Sequence, residues 1–406
     1  MPELMHVVSL QQAGGVETHF AAFVRQAALS RSGWSHRWLN PERGMHPLIR
    51  DGLGPVALQE SREKYAWGLK LPSFPGWLRT VHCRRVLRSG STQLILIWNR
   101  SSRSGSVVAA AGSIPWAYWE HGSAWFEGHE DDRRHFFAQV PVALANSRAA
   151  ARMLQLRWNY AGPVHVCRNA LRPALHPGQP RPKPFPRRPV RLGFAGRLVA
   201  VKGPILLLHA LGRIRDSLPD AELHVAGDGP ERNRLQEWAG RLGVSSAVHF
   251  HGVTRDMAAF YGQVDCLLHP ALREPFGLVA IEAAAHGCPV VAAAVDGLPE
   301  AVSPTSGGCC LVPRLSLPDY AALGGNLEGL PRLVYDPVAD AIGPPRAVDP
   351  GEIAQRVVAL FSEAGAYERA SLLATTHVLQ AFDFDRHVSD VFAVLDGLAS
   401  RREDRP

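Results

Sequence analysis

The chain has 406 residues, 46% of them hydrophobic and 20% charged, with 44 basic residues against 37 acidic ones and a formal net charge of +7. That hydrophobic share excludes wholesale disorder, and the length predicts two domains, each large enough for its own core. No apolar run approaches the ~18 residues of a membrane-spanning helix, the opening MPELMHVVSLQQAGG lacks the basic start of a secretory signal, and the six cysteines show neither zinc nor redox spacing. The expected setting is the cytoplasm, with the thiols buried and reduced.

In chain order, MHVVSL predicts a first strand and Gly15 to Ala28 a helix behind it. Gly14-Gly15 opens that helix, where glycine lets a backbone approach a phosphate, although the pair alone is a weak signal. Residues 62–88 interleave Lys64, Lys70, Arg79, Arg84, Arg85 and Arg88 with Tyr65, Trp67, Phe74 and Trp77. Basic residues beside such aromatics suit a peripheral contact with an anionic membrane, and the prolines exclude one long amphipathic helix. The competing reading is a surface helix pair with its aromatics packed inward. Further strands are expected at LILIW, IPWAYW and PVALAN. His121 lies just past a strand end, where a lone histidine is more often structural, and Asn146-Ser147 suits the cap of a helix from Arg148.

Residues 1–188 hold 25 of the basic and 11 of the acidic residues, so this half carries +14 and the remainder −7. The polarity points to a membrane surface, a nucleic acid or a phosphorylated acceptor, or to a solvated basic face. Nucleic acid ranks last, because no binding motif accompanies the charge.

A proline-rich stretch at 173–189 predicts an extended linker. Beyond it VRLGFAG, AELHVAG, AVHFHG, VDCLLHP and CPVVAAA alternate with helical segments. That rhythm implies parallel sheets with helices on both faces, whose ligands bind beyond the carboxyl ends of the strands. The Pro- and Gly-rich residues 313–350 interrupt it and read as an insertion.

Two clusters carry chemistry. After strand VRLGFAG, the loop from Gly196 holds Arg197 and Lys202 before a helix that starts at Pro204, a planar fork and a point charge suited to a leaving diphosphate. After VDCLLHP, Glu274 stands in a loop, a helix begins near Gly277, and Glu282 lies one to two turns inside it among alanines. Free N–H groups at that helix start suit a diphosphate, and the carboxylates suit sugar and ribose hydroxyls.

The Glu–seven residues–Glu spacing of EPFGLVAIE, followed by GCPVV, resembles the retaining glycosyltransferases of family 4, as do GRLVAVKG, VAGDGP, HFHGVT and DGLPEAV in that order. The resemblance is strong over 190–312 and weaker over 1–172, where GGVE, the His121 loop and ANS match. It implies the GT-B architecture, an α/β fold of two Rossmann-like domains with parallel sheets facing a cleft. The expected division is an acceptor-side domain at 1–172, the linker at 173–189, a nucleotide-sugar domain at 190–385, and a helix at 386–400 that crosses back. The resemblance further implies that Arg197 and Lys202 bind the diphosphate, helped by the backbone of Gly15 and Gly196. Glu274 would bind hydroxyls of the transferred sugar, and the backbone of Phe276, Gly277 and Leu278 would cradle sugar and phosphate. Glu282 would hold the ribose, Gly252-Val253 would line the base pocket, and His121 would reach the sugar from the acceptor side.

The implied reaction is a metal-independent, retaining transfer from a nucleoside-diphosphate sugar to a glycolipid or oligosaccharide acceptor, such as a growing lipopolysaccharide, capsule or exopolysaccharide. It would take place on the inner face of the cytoplasmic membrane, with no cofactor and no metal. Asp383-Phe384-Asp385 reads as a helix start and not as a metal pair. No two carboxylates stand out as the acid and nucleophile of a glycosidase. The 313–350 insertion and Asp296, where glycine is common, depart from the family pattern. A catalytically silent GT-B module that binds a nucleotide or a partner, a sugar-nucleotide epimerase, and a transferase with a soluble acceptor are the alternatives.

Overall fold

The computed structural model describes residues 2–12, 14–30, 33–56 and 58–403, with side chains to residue 400. It divides into two compact units, one of Met1–Arg168 with Phe384–Pro406, the other of Asn169–Asp383.

Among the described residues, the first unit is built on a seven-stranded sheet. Its spatial order is Gln59–Arg62, Ser35–Asn40, Glu3–Val7, Thr92–Trp98, Trp116–Glu120, Ala143–Ala145 and Val164–Val166. Every pairing is parallel. The chain starts in the middle of the sheet and winds outward in both directions, so its topological switch point lies between Glu3–Val7 and Thr92–Trp98. Strands buried on both faces read as continuous apolar runs, which is why LILIW shows no alternation. Helix Gly15–Ser30 buries Phe20, Phe23, Val24 and Ala27. Helix Phe384–Glu403 belongs to this unit: Phe392 stacks on Phe23 at 5.8 Å, and Trp34 Nε1 donates to Asp396 at 3.1 Å.

The basic and aromatic stretch forms a small antiparallel hairpin, Tyr65–Ala66 with Leu69–Lys70, and then helix Trp77–Arg88. Its aromatics do not pack inward: Trp67 is 85%, Phe74 87% and Trp77 61% exposed. On the helix, Trp77, Val81, Arg84, Arg85 and Arg88 are all exposed, and their spacing puts them on one stripe. The inward-packed alternative is therefore corrected.

The second unit has a six-stranded sheet among the described residues, ordered Val248–Gly252, Glu222–Ala226, Arg191–Ala195, Cys266–His269, Val290–Ala293 and Cys309–Leu311. All pairings are again parallel, and the switch point lies between Arg191–Ala195 and Cys266–His269.

The proline-rich stretch is not a loose tether. Proline removes backbone donors, and the groups that remain bind it to this unit. Lys183 N–H donates to Ser371 Oγ at 2.7 Å, Lys183 Nζ to the Tyr261 carbonyl at 2.5 Å, and Arg188 grips Asp265 at 2.8 and 2.9 Å. The 313–350 segment likewise has structure of its own: helix Leu317–Ala322 and a hairpin of Val334–Asp336 with Ala341–Gly343. It is anchored by the buried Tyr320, whose hydroxyl donates to the Ala200 carbonyl at 3.2 Å. No helix among the described residues is long and apolar enough to cross a membrane.

Candidate active site

The site grows from the switch point of the second sheet, where the loops after Arg191–Ala195 and Cys266–His269 run side by side. Leu272 N–H donates to the Val201 carbonyl at 2.9 Å, and a Cβ on Gly203 would stand 2.3 Å from the Pro270 carbonyl oxygen. This close approach lets Lys202 Nζ bond Glu274 Oε2, which His269 Nε2 also meets at 2.9 Å. The Glu274 side chain is only 12% exposed. Burial by itself would push its carboxyl up, but the Lys202 charge and the His269 hydrogen bond outweigh it and hold the group well below the usual carboxylate range. His269, wholly buried, is shifted the other way by burial and stays neutral at pH 7, an effect that Glu274 only partly offsets.

The backbone at Glu274 is fixed from outside its own loop. Its N–H donates to Asp296 Oδ2 at 2.9 Å, while Asp296 Oδ1 accepts from Tyr335 N–H at 2.7 Å. Asp296, at φ +48°, thus links the 334–343 hairpin to the Glu274 loop. Gly277 (φ +103°) caps helix Leu278–Ala285, and a Cβ there would stand 2.6 Å from the Leu298 side chain, so the helix start needs glycine. Phe276 is buried against Phe382, with ring centroids 5.8 Å apart, which leaves only its backbone for a ligand.

Arg197 is exposed, and among the described residues it has no ion-pair partner. Its loop is pinned to the neighbouring turn by Gly196 N–H on the Ala226 carbonyl and Leu198 N–H on the Asp228 carbonyl, both at 2.9 Å. Gly252 (φ +67°) ends strand Val248–Gly252, and its carbonyl accepts from Gly227 N–H at 2.7 Å. Val253, next in the chain, is 73% exposed.

Glu282 lies on helix Leu278–Ala285 and is only 3% exposed. Arg172 reaches its Oε1 through Nη2 at 2.7 Å and Nε at 3.2 Å, and the Tyr261 hydroxyl donates to Oε2 at 3.0 Å. The structure therefore joins Lys202 and Glu274 directly but gives Glu282 its own two partners, and a ribose there would share those oxygens with them.

Gly15 and His121 belong to the first unit, beyond the carboxyl ends of Glu3–Val7 and Trp116–Glu120. Gly14 N–H donates to Glu17 Oε2 at 3.0 Å. His121 N–H donates to Asn99 Oδ1 at 3.0 Å, and its ring stacks on Trp98 with centroids 5.3 Å apart and 7° between planes. Burial, with His387 beside it, lowers the imidazole pKa to about 3, so His121 is neutral. Its Nε2 is buried without a hydrogen-bond partner. The loop that holds it hangs on the wholly buried Glu120, which accepts from the Tyr118 hydroxyl at 2.6 Å and from Ala124 N–H at 3.0 Å.

Reasoning from sequence did not single out His269, Arg172, Tyr261 or Glu120. His269 carried a readable signal, a histidine at a strand end five residues before Glu274. Arg172 carried none, since 110 residues separate it from Glu282. A cavity of about 730 Å³ lined by Arg84, Arg88, Thr92 and Ser113 lies at the amino ends of the first sheet's strands, the end opposite to Gly15 and His121.

Residues 178–322, about a third of the chain, match the family described as Glycosyl transferases group 1. A D-inositol 3-phosphate glycosyltransferase of Streptomyces bingchenggensis is 40% identical over 155 residues, 36% of this chain and 32% of its own length. The chain thus spans about a third of that relative. In solved structures, a glycosyltransferase from Rickettsia africae superposes with a TM-score of 0.75 at 14% identity, over 98% of both chains. Anabaena Alr3699/HepE in complex with UDP-glucose gives 0.70 at 18% identity, over 97% of this chain and 99% of its own. These likenesses establish two parallel Rossmann-like sheets in the GT-B fold. What is shown is the GT-B fold for the chain and, over residues 178–322 alone, a match to the group 1 glycosyltransferases.

Proposed function

We propose that this chain is a retaining, metal-independent glycosyltransferase that moves a sugar from a nucleoside-diphosphate sugar to a lipid-linked or lipopolysaccharide- or exopolysaccharide-type acceptor. The observation that carries the reading is the Lys202–Glu274–His269 cluster at the switch point of the second sheet, inside the matched segment. UDP-glucose, which Anabaena HepE holds, is the first donor to test.

The departing group is a diphosphate, and its growing charge needs positive compensation. Lys202, Arg197 and the N-terminus of helix Leu278–Ala285 supply it, with the Gly196 backbone beside the phosphates. Lys202 exchanges its bond to Glu274 for the phosphate, and Glu274, held as a carboxylate, accepts the sugar hydroxyls. Phe276, Gly277 and Leu278 offer backbone groups, Glu282 holds the ribose, and Gly252-Val253 flanks the base. The bond from the sugar's anomeric carbon to the diphosphate breaks, a bond to the acceptor oxygen forms on the same face, and the acceptor's proton passes to the departing phosphate.

The exposed Trp67, Phe74 and Trp77 beside Arg84, Arg85 and Arg88 favour an acceptor at an anionic membrane, met peripherally on its inner face. Incubation with UDP-glucose, GDP-mannose or ADP-glucose in EDTA, followed by assay for released nucleoside diphosphate, tests the proposal. Release that needs Lys202 and yields a retained product anomer by NMR supports it. Nucleotide binding without any turnover supports a silent GT-B module instead.

A further inference from the structure

We propose that the outer strands of the second sheet carry a site for a transition-metal ion, built from Glu222, His224 and His249. Strands Glu222–Ala226 and Val248–Gly252 run parallel, with His224 directly opposite His249 in register. Side chains two apart on a strand share a face, so Glu222 and His224 lie on the same face as His249 of the sheet's edge strand, and His251, the extra residue where the register slips between Val225 and Ala226, stacks its ring on that of His224. The candidate ligand atoms of Glu222, His224 and His249 lie within 4.8 Å of one another. His224 Nε2 is 3.1 Å from Glu222 Oε2, and His249 Nε2 is 3.9 Å from Glu222 Oε1. These separations bracket the ~3.3 Å expected between ligands that sit ~2.0–2.1 Å from one tetrahedral ion, so small side-chain rotations close the set.

The surroundings are those of a metal ligand. A metal-bound histidine usually commits its other ring nitrogen to a partner, which fixes ring and tautomer. His224 Nδ1 meets His251 Nε2 at 3.0 Å, and the two rings stack with centroids 5.3 Å apart. Phe260 in turn packs edge-on against His251 at 5.9 Å. Arg191 Nε stands 3.5 Å from Glu222 Oε2 and is the charge that an incoming cation must share the carboxylate with. Two imidazoles and one carboxylate select zinc, copper or nickel over magnesium, and three protein ligands leave a position for water. The site is remote in chemistry from the diphosphate pocket and does not depend on the proposed transfer reaction. His251 immediately precedes Gly252, so a bound ion would clip the edge strand that leads to the Gly252-Val253 turn.

Zinc chloride is the probe. The full, untagged chain is stripped with EDTA, dialysed against low-micromolar zinc or magnesium and assayed for bound metal, beside a His224→Ala/His249→Ala double variant whose fold is checked by circular dichroism. The expected result is one zinc per chain, no retained magnesium, a tetrahedral visible spectrum with cobalt, and a rise of roughly 3–6 °C in Tm at saturating zinc, all lost in the folded double variant. A Glu222→Gln variant should weaken zinc binding at least tenfold. Substoichiometric zinc in the wild type overturns the proposal. So does equal zinc in the double variant, because the metal would then belong to the thiols or to other histidines.

Discussion

Lys202 and Glu274 each hold the other's charge, and in the proposed reaction a phosphate and a sugar take their places. Lys202→Ala removes the compensating cation and leaves Glu274 with only His269. Turnover of the nucleotide sugar should fall about 10²–10³-fold, with nucleoside-diphosphate affinity falling alongside it, as steady-state kinetics and calorimetry would show. A variant with near-normal turnover would remove Lys202 from the mechanism. These two residues are legible in the sequence because each stands in a loop between a strand end and a helix start, within GRLVAVKG and EPFGLVAIE. His269 and Asp296 are harder to read, since their role appears only when two loops and a distant hairpin meet at one carboxylate and its backbone.

The buried histidines of the first unit give a second prediction at this scale. His387 is 4% exposed and meets His19 at 2.9 Å, and burial lowers its pKa to about 4. The unfolded chain takes up that proton near pH 6.5 while the folded chain does not, so stability is present above that pH and is lost as pH falls toward 4. One such group contributes roughly 3 kcal/mol across the window. His121 adds in the same direction, its loss extending to lower pH. Urea unfolding at pH 7, 6, 5 and 4 should show this acid decline, and His387→Asn should flatten it. An unchanged slope in the variant would contradict the assignment.

At the scale of elements, the site is a set of loops packed backbone to backbone. A Cβ on Gly227, at φ +147°, would stand 1.8 Å from the Gly196 carbonyl oxygen, and one on Gly229 2.3 Å from that of Leu198. Gly227→Ala should therefore cost about 2–4 kcal/mol and displace Arg197, while Gly212→Ala, in open space on helix Ile205–Arg215, should be tolerated. Chemical denaturation of both variants checks this, and equal stability would show that the 196–203 loop is not held by the turn. The strand–helix rhythm is readable because apolar runs and glycines mark strand ends. The structure within 313–350 was not, since its short helix and hairpin are held by single anchors such as Tyr320 and Tyr335 and lack an apolar period. The hold of 173–189 on the second unit was hidden for a related reason: it rests on Lys183 and Arg188 reaching groups at Tyr261 and Asp265.

For the whole molecule, the uneven charge and the exposed aromatic surface belong to one prediction. The chain should bind anionic liposomes in a salt-sensitive way and neutral ones poorly, and Trp67→Ala/Trp77→Ala or Arg84→Glu/Arg85→Glu should each weaken sedimentation with anionic vesicles severalfold. Equal binding to neutral vesicles, or none to either, would contradict the proposal of a membrane-facing acceptor. The doubly wound topology of both units was legible in the alternation of strands and helices. The outward stance of Trp67, Phe74 and Trp77 was legible only as one of two readings, because composition alone leaves an aromatic free to face core or solvent.

The measurement that bears most directly on the account is calorimetric titration of the wild type, Lys202→Ala and Glu282→Ala with UDP, GDP and ADP in EDTA. The account predicts that one nucleoside diphosphate binds the wild type without metal and that both variants bind it at least tenfold more weakly. No binding by any of the three, or equal binding to all three proteins, would contradict a donor site built on Lys202, Glu274 and Glu282.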